Sequence, residues 1–515
     1  MKNIKFFSLA ALLIASATFV ACSSDNDIIG ENQQPVNPTG KYTMTINASK
    51  GDGALTLNDH TLNATWATTE NVYVQKGSEW ATGSLQPQEV GVTTTLKGEL
   101  SGITINANEN LTLQFPKSGD ITYTGQVGTL ADIAANFDYA TATVKVASIS
   151  ASGNINPEAA TTTFTNQQAI IKFTLKDKGN SDAAISPSAL TVTDGTSTVS
   201  LTDIPAATYT ANEAAGVLYV AFPAAGSAKT VTLTATAGGK TYSYEKTGVS
   251  FTNGQYYEIG VKMSPIISLS GRTYFDEELV IPDGYIVTGS ATAFSCKVAV
   301  ADGATVTLRD VENNNGNLDP SSACPGIKCL GDATIILEGN NTVNGGGEYA
   351  GIYVPEGKTL TIRGTGSLTV TGGSGGAGIG GNEGNCNCGS IVISGGTITA
   401  TGGSNGAGIG LGNSSEYEFG DITISGGTVT ATGCDFAPGI GGPEAYFENI
   451  TITDGVTKVT VNKGSYSTYS IGTSDSDYME SSGVITIGGT VYHDWGYFDN
   501  DGDSYLQTSP LVYQP

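Results

Sequence analysis

Residues Ser394–Gly403 read SGGTITATGG, and Ser425–Gly433 read SGGTVTATG, the same text 31 residues further on. Around them a Gly-Ile step recurs at Gly326–Ile327, Gly351–Ile352, Gly378–Ile379, Gly408–Ile409 and Gly439–Ile440, with Ser470–Ile471 as a degraded sixth. The intervals are 25, 27, 30, 31 and 31 residues. Between the steps lie short strand-forming runs such as KTLTIRGTGSLTV, GSIVISGGTITA and GDITISGGTVTA. A period in this range marks a solenoid, a propeller or an array. A propeller blade needs about 40–45 residues and four strands, so this unit is too short for one. One turn of a parallel β-helix, with three short strands and glycine-rich corners, fits.

Such a coil explains why the text repeats. Each turn lies one strand spacing, roughly 4.8 Å, above the last, so a position meets its own equivalent. Ile391, Ile393 and Ile398 are expected beneath Ile422, Ile424 and Val429, forming apolar ladders. The Thr residues of TITAT and TVTAT are expected to alternate outward as ladders on a flat face. At the GAGIG corners Ala and Gly leave room to turn, and Gly can adopt positive φ. Six coils are counted, plus a lead-in turn around CKVAVADGATVTL.

The rest of the chain is also β-forming. Of 515 residues only 14% are charged and 69 are Gly, and past the N-terminus no long stretch has apolar residues at helical spacing. The net charge is −25; residues 264–515 carry 27 Asp+Glu against 8 Lys+Arg, which is −19. Such a surface repels nucleic acid and anionic lipid. The expected fold is all-β: two N-terminal β-sandwich lobes (41–160 and 161–263) followed by a right-handed parallel β-helix with a C-terminal cap (264–515). Strand alternation is clear in TNQQAIIKFTL, where Ile171, Phe173 and Leu175 point one way and Lys172 and Thr174 the other. A hairpin is expected at Gly238–Gly239. The strand GQYYEIGVKM is expected to stop at Ser264–Pro265, the best domain boundary.

The N-terminus reads as an address. Lys2 and Lys5 precede an apolar run and then Cys22. FVAC resembles a bacterial lipoprotein cleavage box, with Phe19 where Leu is commoner. Residues 1–21 would then be the signal peptide, Cys22 the lipidated first residue, and 22–40 a polar tether. A plain secretory signal is the alternative. The SSDND that follows resembles the tag sending lipoproteins to the outer surface in Bacteroides-type bacteria, so anchoring in the outer membrane would rest on lipid. Six further cysteines, Cys296, Cys324, Cys329, Cys386, Cys388 and Cys434, allow 15 disulfide pairings among which sequence does not choose. CNC lacks the second pair or nearby His of a zinc site.

Residues 41–263 resemble the fimbrillin-like (Mfa-like) proteins of Bacteroides-type bacteria. The resemblance is carried by ATWATTENVYV at 64–74, YTGQVGTLADIAANFDYATA at 123–142, FTNQQAIIKFTL at 164–175 and FTNGQYYEIGVKM at 251–263. It implies paired β-sandwich lobes and an adhesive or pilus-tip role, with other pilus subunits as partners. Members are often matured by cleavage after Arg in an early strand, opening a groove for a neighbour's strand. This chain has no Arg before Arg272, which leaves Lys41 or Lys50 as the residues a Lys-tolerant protease would use. Residues 295–460 are similar to bacterial carbohydrate-binding β-helix proteins, whose repeats read like GAGIGG…ITISGGTITATGG. That resemblance implies contact with a host or dietary glycan; members bind acidic plant polysaccharide with calcium.

An enzyme is not expected. Lyase chemistry on a uronate needs a positioned base, and residues 364–457 contain no Lys, Arg or His. Arg363 falls where its neighbours carry Ser394 or Ser425, a surface corner. Hydrolysis needs two carboxylates about 5–10 Å apart, and no clustered Asp pattern repeats. His60 and His493 lie in different halves, with no nucleophile motif near either. The alternatives kept open are a polysaccharide lyase or hydrolase, and a passive stalk. For binding, GNEGNCNCG, GNSSEYEFG and GPEAYFEN occupy equivalent corners of three turns. They are expected to set Glu383, then Glu416, Tyr417 and Glu418, then Glu444, Tyr446 and Phe447 on one edge. Aromatic faces suit sugar C–H surfaces, and stacked carboxylates would call for Ca²⁺. Asp499, Asp501 and Asp503 in DNDGDS form a second, weaker calcium candidate. Its Gly comes at position four, and Pro510 stands where an EF-hand needs Glu.

Overall fold

The computed structural model describes residues 40–50, 56–58, 61–63, 65–115, 122–212, 214–224, 226–272, 277–291, 297–317, 323–384, 387–413, 417–473, 483–494 and 504–515. The signal and tether segments with Cys22 lie outside the described residues. So do Glu416, Asp499, Asp501, Asp503, Cys296 and Cys386.

The first lobe begins with Lys41–Ser49, whose Tyr42, Met44, Ile46 and Ala48 point inward. This strand runs antiparallel to Thr93–Ser101 and parallel to Asn154–Pro157 and Thr161–Thr163. Ala140–Ile149 joins that sheet to a second one holding Asn110–Phe115 and Tyr73–Lys76. Trp66, Leu85, Leu96 and Leu111 fill the space between them. Because Thr161–Thr163 and Thr165–Asn166 still pair with first-lobe strands, the passage between lobes falls past the expected residue 160.

Lys50 directly follows the first strand, and its surroundings bear on the cleavage expectation. Its ammonium is buried in an ion pair with Glu70 at 2.7 Å and lies 4.3 Å from the centre of the Phe115 ring. A protease that reads an extended, solvated lysine side chain has none to take at Lys50.

In the second lobe, Ala169–Asp177 lies between Val217–Phe222, antiparallel, and Tyr256–Ser268, parallel. Ile171, Phe173 and Leu175 are buried while Lys172 and Thr174 are half-exposed, as the alternation predicts. The Gly238–Gly239 hairpin forms, both glycines having positive φ. Two short helices, Leu130–Asn136 and Ala206–Ala211, also occur; Thr129 caps the first by accepting from the Asp132 N–H.

The strand expected to stop at Ser264–Pro265 runs on to Ser268. Its first part pairs with Ala169–Asp177 up to Met263, and from Ile266 it pairs in parallel with Ile286–Ser290. Pro265 falls between these two partners, where that side of the strand needs no ladder N–H. The C-terminal half therefore continues the sheet of the second lobe without a linker.

From there the backbone adds strands in parallel, turn upon turn. One sheet has eight short strands, Leu279–Ile281, Val298–Val300, Ile327–Cys329, Ile352–Tyr353, Ile379–Gly380, Ile409–Gly410, Ile440–Gly442 and Ile471–Thr473. The longer strands of each turn build a second parallel sheet, and the two share one core. The Gly-Ile steps stack in register: Ile327, Ile352, Ile379, Ile409, Ile440 and Ile471 are successive partners, each 0–1% exposed. Ile391, Ile393 and Ile398 pair with Ile422, Ile424 and Val429 as expected. The middle ladder runs through Val306, Ile335, Ile362, Ile393, Ile424, Ile452 and Ile487. Fully burying one such side chain contributes about 1.5–3 kcal/mol.

Outward, Thr342, Thr369, Thr399, Thr430 and Thr460 form one threonine ladder, and Thr371, Thr401 and Thr432 begin another beside it. The glycine requirement is sharpest just after the Gly-Ile step. Gly410 has φ +134°, and a Cβ on it would lie 1.9 Å from the Gly441 carbonyl oxygen of the next turn. The lead-in contains one turn more than the sequence reading counted, because Leu279–Ile281 and Ile286–Ser290 carry no Gly-Ile step. At the far end Leu511–Tyr513 and Thr490–His493 pair antiparallel to Val456–Asn462 and Val484–Ile487, which stops further parallel addition.

Candidate functional site

The loops after the Gly-Ile steps build a further side of the coil. Tyr417–Phe419 pairs in parallel with Ala445–Phe447, and Cys388 bridges both to Pro355 before and to Phe419 after. Period-two alternation sorts these residues by face. Inward go Cys388, Phe419 and Phe447; outward go Asn387, Glu418 and Tyr446. Glu418 and Tyr446 are thus register partners, with Tyr417 and Glu444 close by in sequence.

Two members of the expected edge are placed otherwise. Phe447 is 4% exposed and its ring stacks on Phe419 at 5.3 Å, so it is core and no sugar platform. Glu383 accepts a hydrogen bond from Asn413 Nδ2 at 2.8 Å, and its N–H donates to the Glu348 carbonyl, tying it to adjacent turns at the other end of its loop. The described carboxylates on the outer row also do not stack directly. Asn387 lies between them, donating to Glu356 Oε1 at 3.1 Å and accepting from the Glu418 N–H at 2.9 Å. Asn387 thus separates the two acidic residues, meeting Glu356 at its carboxylate and Glu418 at its backbone. Among the described residues no group of three or more His, Cys, Asp or Glu could hold a metal ion. Cys324, Cys329, Cys388 and Cys434 are free thiols, and burial pushes Cys324 up to about 11 and Cys329 up to about 12.

A concave feature of the coil lies elsewhere. On the short-strand sheet the position after each Ile is Lys328, then Tyr353, then Gly380, Gly410, Gly441 and Gly472. Side chains project where glycine does not, and there a cleft of about 310 Å³ opens, lined by Glu278, Lys297, Lys328, Tyr349, Tyr353 and Asn382 among others. Lys328 and Glu278 approach to 3.7 Å at the wall. Asn382 Oδ1 accepts the Ala350 N–H at 2.8 Å, which fixes the amide and turns its Nδ2 donors away from that bond. Two tyrosines, two ammonium groups and an oriented amide can grip a polar ligand that also has an apolar face. Sequence reading missed this group. Its signal was an aromatic residue at Tyr353, where later repeats carry glycine.

A second exposed aromatic feature lies at the corner between the threonine face and the short-strand sheet. Phe436 is 52% and Tyr466 68% exposed, and their rings stack at 4.9 Å with 24° between planes. Arg363, expected at a surface corner, is exposed.

Residues 391–413 and 422–442 match the family model of the Beta helix repeat. Among solved structures the chain is similar to a fimbrial assembly protein from Parabacteroides distasonis. The identity is 11%, over 43% of this chain and 90% of that one, with a TM-score of 0.23. It is also similar to the tip fimbrial protein of Porphyromonas gingivalis, at 7% identity over 43% of this chain and 95% of that one, with a TM-score of 0.20. No curated protein sequence matches the chain. Among the described residues no helix is long and apolar enough to cross a membrane.

Proposed function

We propose that this chain is a cell-surface adhesin of fimbrial type whose C-terminal coil, a right-handed parallel β-helix, binds carbohydrate. The handedness follows from the sense that nearly all strand–crossover–strand connections take. Lipid on Cys22 would hold the protein at the outer membrane, and the two sandwich lobes would carry the coil outward.

The observation that supports binding is the cleft of Tyr349 and Tyr353 beside Lys297, Lys328 and Asn382. Aromatic faces take the C–H side of a sugar, while ammonium and amide donors take its hydroxyl oxygens. Glu278 is the one carboxylate among the described lining residues and faces Lys328, so the cleft offers contact rather than a paired acid and base. Because the one described carboxylate of the lining faces an ammonium group, binding in this cleft is proposed to be independent of calcium. A calcium-dependent component would draw on carboxylates outside the described residues, Glu416 or Asp499, Asp501 and Asp503.

A glycan array run with and without calcium tests the reading. The wild-type protein should bind a subset of glycans in both conditions, and Tyr353→Ala should weaken that binding about tenfold, the equivalent of roughly 1.4 kcal/mol. Absence of binding to any glycan would favour a passive stalk. New reducing or unsaturated ends on a bound polysaccharide would make the protein an enzyme.

A further inference from the structure

The corner that carries Tyr349 at one end and Phe436 with Tyr466 at the other is continuous. Successive corners are hydrogen-bonded: Gly373 N–H to the Tyr349 carbonyl at 2.8 Å and Gly403 N–H to Gly376 at 2.8 Å, followed by Cys434 N–H to Gly406 at 3.1 Å and Gly464 N–H to Ala437 at 2.9 Å. Tyr349 and Phe436 are therefore three turns apart and Tyr466 a fourth, which at one strand spacing per turn is roughly 14–19 Å. In the two corners between, Ser374 and Ser404 are the exposed residues and most of the rest is glycine. Close stacking alone accounts for that glycine, since a Cβ on Gly403 would lie 1.6 Å from the Gly373 carbonyl oxygen. It does not account for the aromatic pair, which sits largely in water.

Charge narrows what such a track would accept. The coil half is strongly acidic, with Glu348 exposed at one end of the corner and Asp435 beside the aromatic pair. Lys463, the nearby cation, donates to the Thr468 carbonyl at 2.7 Å. Beyond the cleft, where Lys297 and Lys328 stand with Glu278, a polyanion would meet repulsion along the corner. On the strand side Thr371, Thr401 and Thr432 offer one hydroxyl per turn.

Resting on the glycan reading above, we propose that the ligand is an uncharged linear oligosaccharide lying parallel to the coil axis. It would enter at the Tyr349–Tyr353 cleft, pass the serine- and glycine-lined corners at about one ring per turn, and end on the Phe436–Tyr466 platform. The strand spacing is comparable to the length of one pyranose in an extended chain, so successive rings meet equivalent positions.

The test is calorimetric titration of the full chain with cello-, manno- and chito-oligosaccharides from disaccharide to hexasaccharide, with oligogalacturonides as the acidic arm. For at least one neutral series, affinity should rise through the pentasaccharide and then level. Phe436→Ala with Tyr466→Ala should remove about tenfold of that rise and leave the disaccharide unchanged, with the melting temperature as the check on folding. Tyr353→Ala should weaken every length. Equal affinity at all lengths, loss by the double variant at every length alike, or preference for oligogalacturonides would overturn the track while leaving glycan binding standing. Absence of binding in every series, with an empty array, would remove both.

Discussion

Replacing Gly410 by alanine tests the stacking directly. Its φ of +134° is a conformation that side chains rarely adopt, and the added Cβ would lie 1.9 Å from the Gly441 carbonyl oxygen, a backbone atom that cannot rotate away. Holding a non-glycine residue there costs about 1–3 kcal/mol. The clash must also be relieved by parting the turns, which breaks the Leu411 N–H bond to Gly441 and the Gly381 N–H bond to Gly410, both 2.8 Å. Each buried bond lost costs about 1–3 kcal/mol, so the total comes to about 3–9 kcal/mol. The control is Gly357→Ala in the same coil, at φ +68° with no atom within 4 Å of the added Cβ. That change carries only the left-handed conformation, about 1–2 kcal/mol. Hydrogen exchange read by mass spectrometry is the assay. Amides of residues 405–445 should exchange at least about a hundredfold faster in the Gly410 variant, the counterpart of roughly 3 kcal/mol, and far less so in the control. Equal effects of the two substitutions would refute the claim that turns sit in van der Waals contact at this rung.

Three further outcomes follow from the packing. Lys50→Ala strands Glu70 without its partner at 2.7 Å and should cost the first lobe about 3–5 kcal/mol in urea unfolding, while in the native wild type a lysine-specific protease should leave Lys50 uncut. Burial pushes the Asp138 carboxyl up to about 6 from its ordinary 3.8, with Lys50 opposing and Glu70 adding to the rise. The fold therefore holds this proton more tightly than the unfolded chain, and stability should fall as pH rises from about 3.8 to about 6; Asp138→Asn should flatten that part of a melting-temperature profile. Phe419→Ala, removing one ring of the buried pair at 5.3 Å, should cost about 3–5 kcal/mol, whereas Tyr446→Ala on the outer row should shift stability by no more than about 0.5 kcal/mol.

The repeat text made most of the coil legible. Equivalent isoleucines must meet when turns are stacked, so Ile391, Ile393 and Ile398 could be matched to partners from spacing alone. The first turn escaped because Leu279–Ile281 fills the same rung without the glycine step. Pro265 misled because a proline usually ends a strand, yet here it sits at a change of partners. At the loops, chemistry suggests a sugar contact for Phe447 while parity puts it inside: Phe419 occupies the same rung of the preceding turn, and both rings belong to the interior. Tyr353, Phe436 and Tyr466 depended on exposure, which depends on what their neighbours lack. Each stands where an equivalent turn carries glycine, serine or asparagine, so the signal was a departure from the repeat.

Distances between spin labels on the threonine ladder test the winding of the coil most directly. With one label at Thr369 and the second moved to Thr399, Thr430 and then Thr460, each step of about thirty residues should lengthen the separation by only about one strand spacing, roughly 4.8 Å. Separations that jump by tens of ångströms, or that fail to increase in order, would contradict a backbone that returns above itself every turn.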